Sequence, residues 1–134
     1  MKELTIGAKV DNLDRVLEFV DGVLEENECD MKTQIQIDVS VEEIFVNIAN
    51  YAYTPGEGEA VIRVEILDPR AISVTFIDKG VPYDPLAKED PDITLSADER
   101  PIGGLGIYMV KQSADDISYE YKDDQNILTY IKKF

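Results

Sequence analysis

Three short patterns in this 134-residue chain combine groups capable of chemistry. Glu43 and Asn47 stand four apart in a stretch with helical spacing, which puts both side chains on one helix face. A carboxylate there can act as a general base, and an amide oxygen can help hold Mg²⁺. Asp78 ends an apolar run in Asp78-Lys79-Gly80-Val81-Pro82-Tyr83-Asp84-Pro85. An ionised Asp at a strand end can accept a hydrogen bond from an exocyclic amine such as that of adenine, and Gly80 would let a ligand approach the backbone closely. Gly103-Gly104-Leu105-Gly106 opens a third stretch, Ile107-Tyr108-Met109-Val110, of helical character. Backbone N–H groups at a helix start bind phosphate, and glycines remove the side chains that would block it. Each pattern also has a plainer reading: a solvated helix face, a strand-ending turn, an N-cap with packing glycines. The glycines form neither a Walker A loop, since no Gly-Lys-Ser/Thr follows, nor a dinucleotide fingerprint, since a long acidic loop rather than a strand precedes them.

Composition narrows the chemistry further. The chain has no His and one Cys, Cys29, which removes Ser-His-Asp triads, His metal sites, thiolate clusters and histidine autophosphorylation. The single Cys fits a reducing compartment, and the start of the chain lacks the apolar region of a signal peptide, so a cytoplasmic location is expected. No run of about 18 apolar residues suggests a membrane span. The net charge of −15 disfavours nucleic acid and anionic membranes alike. A polyanionic ligand would have to be neutralised locally, by a divalent metal, a helix N-terminus or a placed Lys or Arg.

The elements that must position these groups follow from periodicity. Residues 4–10 alternate as a short strand. With Asp11 or Asn12 as N-cap, Leu13, Val16, Leu17, Val20 and Leu24 recur at helical spacing to about Glu26. After a polar break at 26–30, a second helix is predicted over 31–53, with Ile35, Val39, Ile44, Ile48 and Ala52 on one broad face. Thr54-Pro55-Gly56-Glu57-Gly58 breaks it. Residues 60–67 and 71–77 read as a hairpin about Asp68-Pro69-Arg70. Residues 85–102 hold five acidic residues and three prolines without periodicity, the profile of a functional or disordered loop. A helix over 104–113 and strands over 117–122 and 127–132, joined by Asp123-Asp124-Gln125-Asn126, complete the chain. The order β-α-α-β-β-loop-α-β-β predicts one α+β domain over 1–134, a two-layer sandwich with a mixed, mostly antiparallel sheet and helices on one face.

Taken in order, Glu/Asn on a helix, D-x-G-x-P after a strand, a long loop, then G-G-x-G at a helix start resemble the N, G1 and G2 boxes of the GHKL ATPase superfamily, which includes gyrase, heat-shock chaperone and histidine-kinase ATP domains. More narrowly, E-E-I-F-V-N-I-A-N-Y-A-Y, D-K-G-V-P-Y-D-P and G-G-L-G-I-Y-M-V resemble the stand-alone bacterial anti-sigma-factor serine/threonine kinases. The resemblance covers nearly the whole chain. It implies ATP and Mg²⁺ as cofactors, with Asn47 on the metal and Glu43 as the base that accepts the proton of a substrate serine. It implies Asp78 on the adenine amine, Gly80 beside the ring, and Gly103, Gly104, Leu105 and Gly106 presenting backbone to the phosphates. Residues 86–102 correspond to the mobile ATP lid, Arg100 to a lid cation, and Thr129 to a closing strand that borders the pocket; Lys111 is a further cation near the phosphates. The partners implied are a small anti-sigma-factor antagonist, which would be phosphorylated, and a sigma factor, with a homodimer allowed. A regulator that binds nucleotide without transfer is the alternative. The chain departs from many relatives in carrying Tyr51 four residues beyond Asn47 where they have His, Tyr83 for the commoner Phe, and an acidic lid.

Overall fold

A computed structural model describes residues 1–54, 56–87 and 105–134, with backbone only for Leu105. Its elements run β1 (Lys2–Gly7), α1 (Leu13–Glu26), α2 (Met31–Tyr51), β2 (Glu59–Leu67), β3 (Ala71–Asp78), α3 (Leu105–Ser113), β4 (Asp116–Lys122) and β5 (Gln125–Lys133). This is the predicted α+β order. The five strands form one sheet ordered β1-β2-β3-β5-β4. Every pairing in it is antiparallel, so the sheet is wholly antiparallel rather than mixed.

Alternation in the strands decides which face meets the helices. Ile62 and Val64 in β2, Ile72, Val74 and Phe76 in β3, and Leu128 and Tyr130 in β5 are buried, while Arg63 and Glu65, which alternate with the β2 residues, are exposed. Against that face pack Val16, Val20, Val23 and Leu24 of α1 and Ile37, Val41, Ile44 and Phe45 of α2 in one core. Ser113 of α3 lies 3.2 Å from the Ser40 hydroxyl of α2 and 2.7 Å from the Tyr130 hydroxyl of β5, which fixes α3 over both layers.

Two local expectations are corrected and one, the N-cap of α1, is refined. Ile35 and Val39, expected on the inward face of α2, are exposed (54% and 39%). They stand about 200° around the helix from Ile37 and Val41. Because α2 is apolar on both sides, the sheet rather than the periodicity selects its inner stripe. Asn12 takes the N-cap position of α1, but its side chain donates to Gly7 O (2.9 Å) and caps nothing; Asp30, inside the expected break, caps α2 by accepting from Thr33 N (3.0 Å). The last hairpin turns on Asp123 and Asp124 alone, with φ of 54° and 61°, the left-handed pair of a two-residue turn. Its second strand therefore starts at Gln125 and includes Asn126.

Between α1 and α2 stand two carboxylates, Asp21 and Asp38. Each has an oxygen sealed from solvent that finds no donor while both are ionised. Burial, a hydrogen bond with Asp21 and the charges of Asp21 and Glu25 push the Asp38 carboxyl from 3.8 up to about 8. The folded state thus holds a proton that the unfolded chain releases. Its stabilising contribution is complete below about pH 4 and is lost as pH rises through about 8. Asp38→Asn should flatten this dependence: the variant gains on the wild type in unfolding midpoint as pH rises across that window. The gain is a fraction of the about 1.4 kcal/mol per pH unit that one whole proton would give, because the pair is half-buried. Parallel melting curves for the two proteins at all pH values would refute the proton on Asp38.

Candidate functional site

A cavity of about 490 Å³ opens between α2, the segment after β3, the first turn of α3 and strands β4 and β5. That is within the roughly 300–1,000 Å³ of small-molecule sites. Glu43 and Asn47 reach it from one face of α2, while the neighbouring Glu42 is exposed and does not line it. Ile44, Phe76 and Leu128 supply apolar wall. Gly106 and Ile107 bring the positive end of α3 to the cavity. A Cβ at Gly106 would stand 2.7 Å from Glu43 Cδ, so a side chain there would displace the Glu43 carboxylate from its place beside α3.

Asp78 shares the inward parity of Phe76 and Val74, which carries its carboxylate into the cavity wall, 5% exposed. Its Oδ1 accepts from Gly80 N and from Asn126 Nδ2, both at 2.9 Å. Gly80 itself does not line the cavity. A Cβ there would lie 2.6 Å from the carbonyl carbon of Ala52, and Val81 N donates to Ala52 O at 2.9 Å. The glycine is thus required where the 78–85 segment docks on the end of α2, a joint that couples the element bearing Asp78 to the helix bearing Glu43 and Asn47. Tyr53 adds to it: its hydroxyl accepts from Lys79 N (2.7 Å) and donates to Glu59 O (2.6 Å), and burial holds it above the ordinary tyrosine range.

Thr129 is not brought to the cavity. It alternates with the inward Leu128 and Tyr130 and lies on the opposite face, its hydroxyl 3.4 Å from that of Thr75. Lys111 is likewise not among the lining residues. Arg100, Gly103, Gly104 and residues 88–102 of the expected lid lie outside the described residues; Pro85–Ala87 before them form one 3₁₀ turn. Among the lining residues that the sequence reading did not single out are Asn126 and Tyr119. A polar residue at the inward parity of β5 was the available signal, hidden by the expectation of a longer turn.

Among the described residues, no cluster of three or more acidic, His or Cys side chains could hold a metal by itself. Asn47 lines the cavity, and its amide oxygen is of the hard donor type that a Mg²⁺ could take. No described helix is long and apolar enough to cross a membrane.

Comparison with known proteins places the fold in a family. The histidine kinase-like ATPase domain family matches residues 6–132. The chain is similar to the serine/threonine-protein kinase BtrW of Bordetella bronchiseptica, 28% identical over 98 residues that make up 73% of this chain and 69% of the relative. It is also similar to the serine-protein kinases RsbW of Bacillus cereus and Bacillus anthracis, 28% identical over 101 residues, 71% of this chain and 62% of theirs. The match thus spans less than two thirds of the Bacillus relatives' length. With the family covering nearly all of a chain whose described residues fold as an antiparallel sheet under three helices, this protein belongs to the histidine kinase-like ATPase domain family.

Proposed function

We propose that this chain is a Mg²⁺-ATP-dependent serine/threonine protein kinase that phosphorylates a small anti-sigma-factor antagonist and can hold a sigma factor. The observation that carries the reading is the convergence of Glu43, Asn47 and Asp78 on one cavity closed by the first turn of α3. Asp78 accepts from the adenine amine, and Phe76 and Leu128 cover apolar parts of the base. Asn47 would hold a Mg²⁺, which would supply positive charge against the phosphates. Gly106 and the α3 N-terminus receive the phosphates. Glu43 takes the proton from the incoming hydroxyl. Phosphoryl transfer rests mainly on positioning and electrostatics, so this short set of side chains is sufficient. The kinase names of the relatives and the resemblance of the three boxes support the same assignment.

The test has two stages. Calorimetry should detect ATP binding that Mg²⁺ strengthens and that Asn47→Ala weakens at least about tenfold, the loss of one metal contact. The protein captured with its native partner and given γ-labelled ATP should then label a serine or threonine of that partner. No ATP binding by the wild type overturns the reading; binding without transfer replaces kinase by nucleotide-tuned regulator.

A further inference from the structure

Asn126 is 7% exposed in the middle of a polar junction that its residue type alone does not explain. It pairs in register with Asp78 across the β3–β5 ladder. A side-chain amide has two N–H donors and two acceptor lone pairs. Here Nδ2 donates to Asp78 Oδ1 and to Val81 O, each at 2.9 Å, with a longer approach of 3.5 Å to Gly80 O. Oδ1 accepts from Tyr83 N at 3.1 Å and from the Tyr119 hydroxyl. All four capacities are filled. The orientation of the amide is equally determined: Tyr83 N–H can only donate and Val81 O can only accept, so a flipped amide would set donor against donor and acceptor against acceptor.

Two consequences follow. Asn126 has no capacity left for a ligand although it lines the cavity. It also completes Asp78 Oδ1, which already accepts from Gly80 N–H, so that Oδ2 is the carboxylate oxygen available to a bound base. Resting on the proposed nucleotide site, we infer that Asn126 is a positioning residue for base recognition: it locks the Asp78 carboxylate in one rotation and, through Val81 and Tyr83, pins the cavity-lining segment to the sheet. The ligand it serves is a purine bearing an exocyclic amine.

A merely structural Asn would affect all nucleotides alike, so selectivity is the informative readout. ATP is compared with the triphosphate of purine riboside, which lacks the amine, on folded wild type and Asn126→Ala. The wild type should prefer ATP by at least about tenfold, one hydrogen bond to a charged acceptor. Asn126→Ala should reduce that preference to within about threefold, half a pH-unit equivalent in free energy. A wild type that does not discriminate overturns the Asp78 site itself. A wild type that discriminates beside an Asn126→Ala variant that does so equally overturns the role of Asn126 alone. Should the alanine variant not fold, Asn126→Asp decides. It sets a carboxylate against Asp78 that becomes a donor on protonation, so its ATP affinity relative to wild type should rise about tenfold between about pH 8 and about pH 5.5, where a carboxyl beside a second carboxylate takes up its proton. A constant ratio across that range overturns the inference.

Discussion

Asp78→Asn is expected to weaken ATP binding by about tenfold to about 150-fold, the value of a hydrogen bond to a charged acceptor. The change is nearly isosteric, and the amide oxygen can keep the bonds from Gly80 N and Asn126 Nδ2 that Oδ1 now accepts. The replacement NH₂ then takes the place of Oδ2. The adenine amine, itself a donor, would meet a donor. The fold therefore stays while the recognition inverts, and titration calorimetry on a protein with an unchanged melting curve isolates the effect. Unchanged affinity would remove Asp78 from base recognition. A large loss of stability would instead show that the charge of Asp78 holds the junction with Asn126 together, since an acceptor at 5% exposure has little water to fall back on.

The same junction shows why some of the site was legible and some was not. Glu43 and Asn47 could be read because four-residue spacing on a helix is a local property. Asp78 could be read because it terminates an apolar strand at the parity of Phe76. Asn126 could not, because its meaning comes from pairing with a residue 48 positions away, and the two-residue turn that sets its parity uses Asp at both left-handed positions rather than the glycine that advertises such turns. Thr129 failed for the same reason. Once Asn126, Leu128 and Tyr130 face inward, Thr129 must face outward. Gly80 was expected to admit a ligand; the group that approaches it is the end of α2, and only the tertiary fold reveals it. The inner stripe of α2 was ambiguous from the outset, since Ile35 and Val39 offered a second apolar stripe opposite the one the sheet covers. The strand and helix order, in contrast, depended on local periodicity and turn residues and could be read along the chain.

Glu43→Gln is expected to lower phosphoryl transfer to the partner by about 10²–10⁴-fold, the usual contribution of a general base, while ATP affinity stays within about threefold, since an amide of equal size keeps the wall intact. The choice of Gln matters. Glu43 packs where Gly106 has no side chain, so a shorter residue would leave a gap at the first turn of α3 and confuse a packing defect with lost chemistry. Gln fills the same space and removes only the capacity to take a proton. The site also answers the problem posed by a chain of net charge −15: the negative charges of ATP would be met by Mg²⁺ at Asn47 and by the N-terminus of α3, leaving Glu43 as a nearby anion with a task other than charge balance. Single-turnover labelling of the partner, with ATP binding measured in parallel, separates the two roles. Loss of transfer with retained binding supports Glu43 as the base. Undiminished transfer would reduce Glu43 to a packing partner of Gly106 and require the hydroxyl proton to leave through the phosphate itself, a route that the loose transition state of phosphoryl transfer permits and that this one substitution would expose.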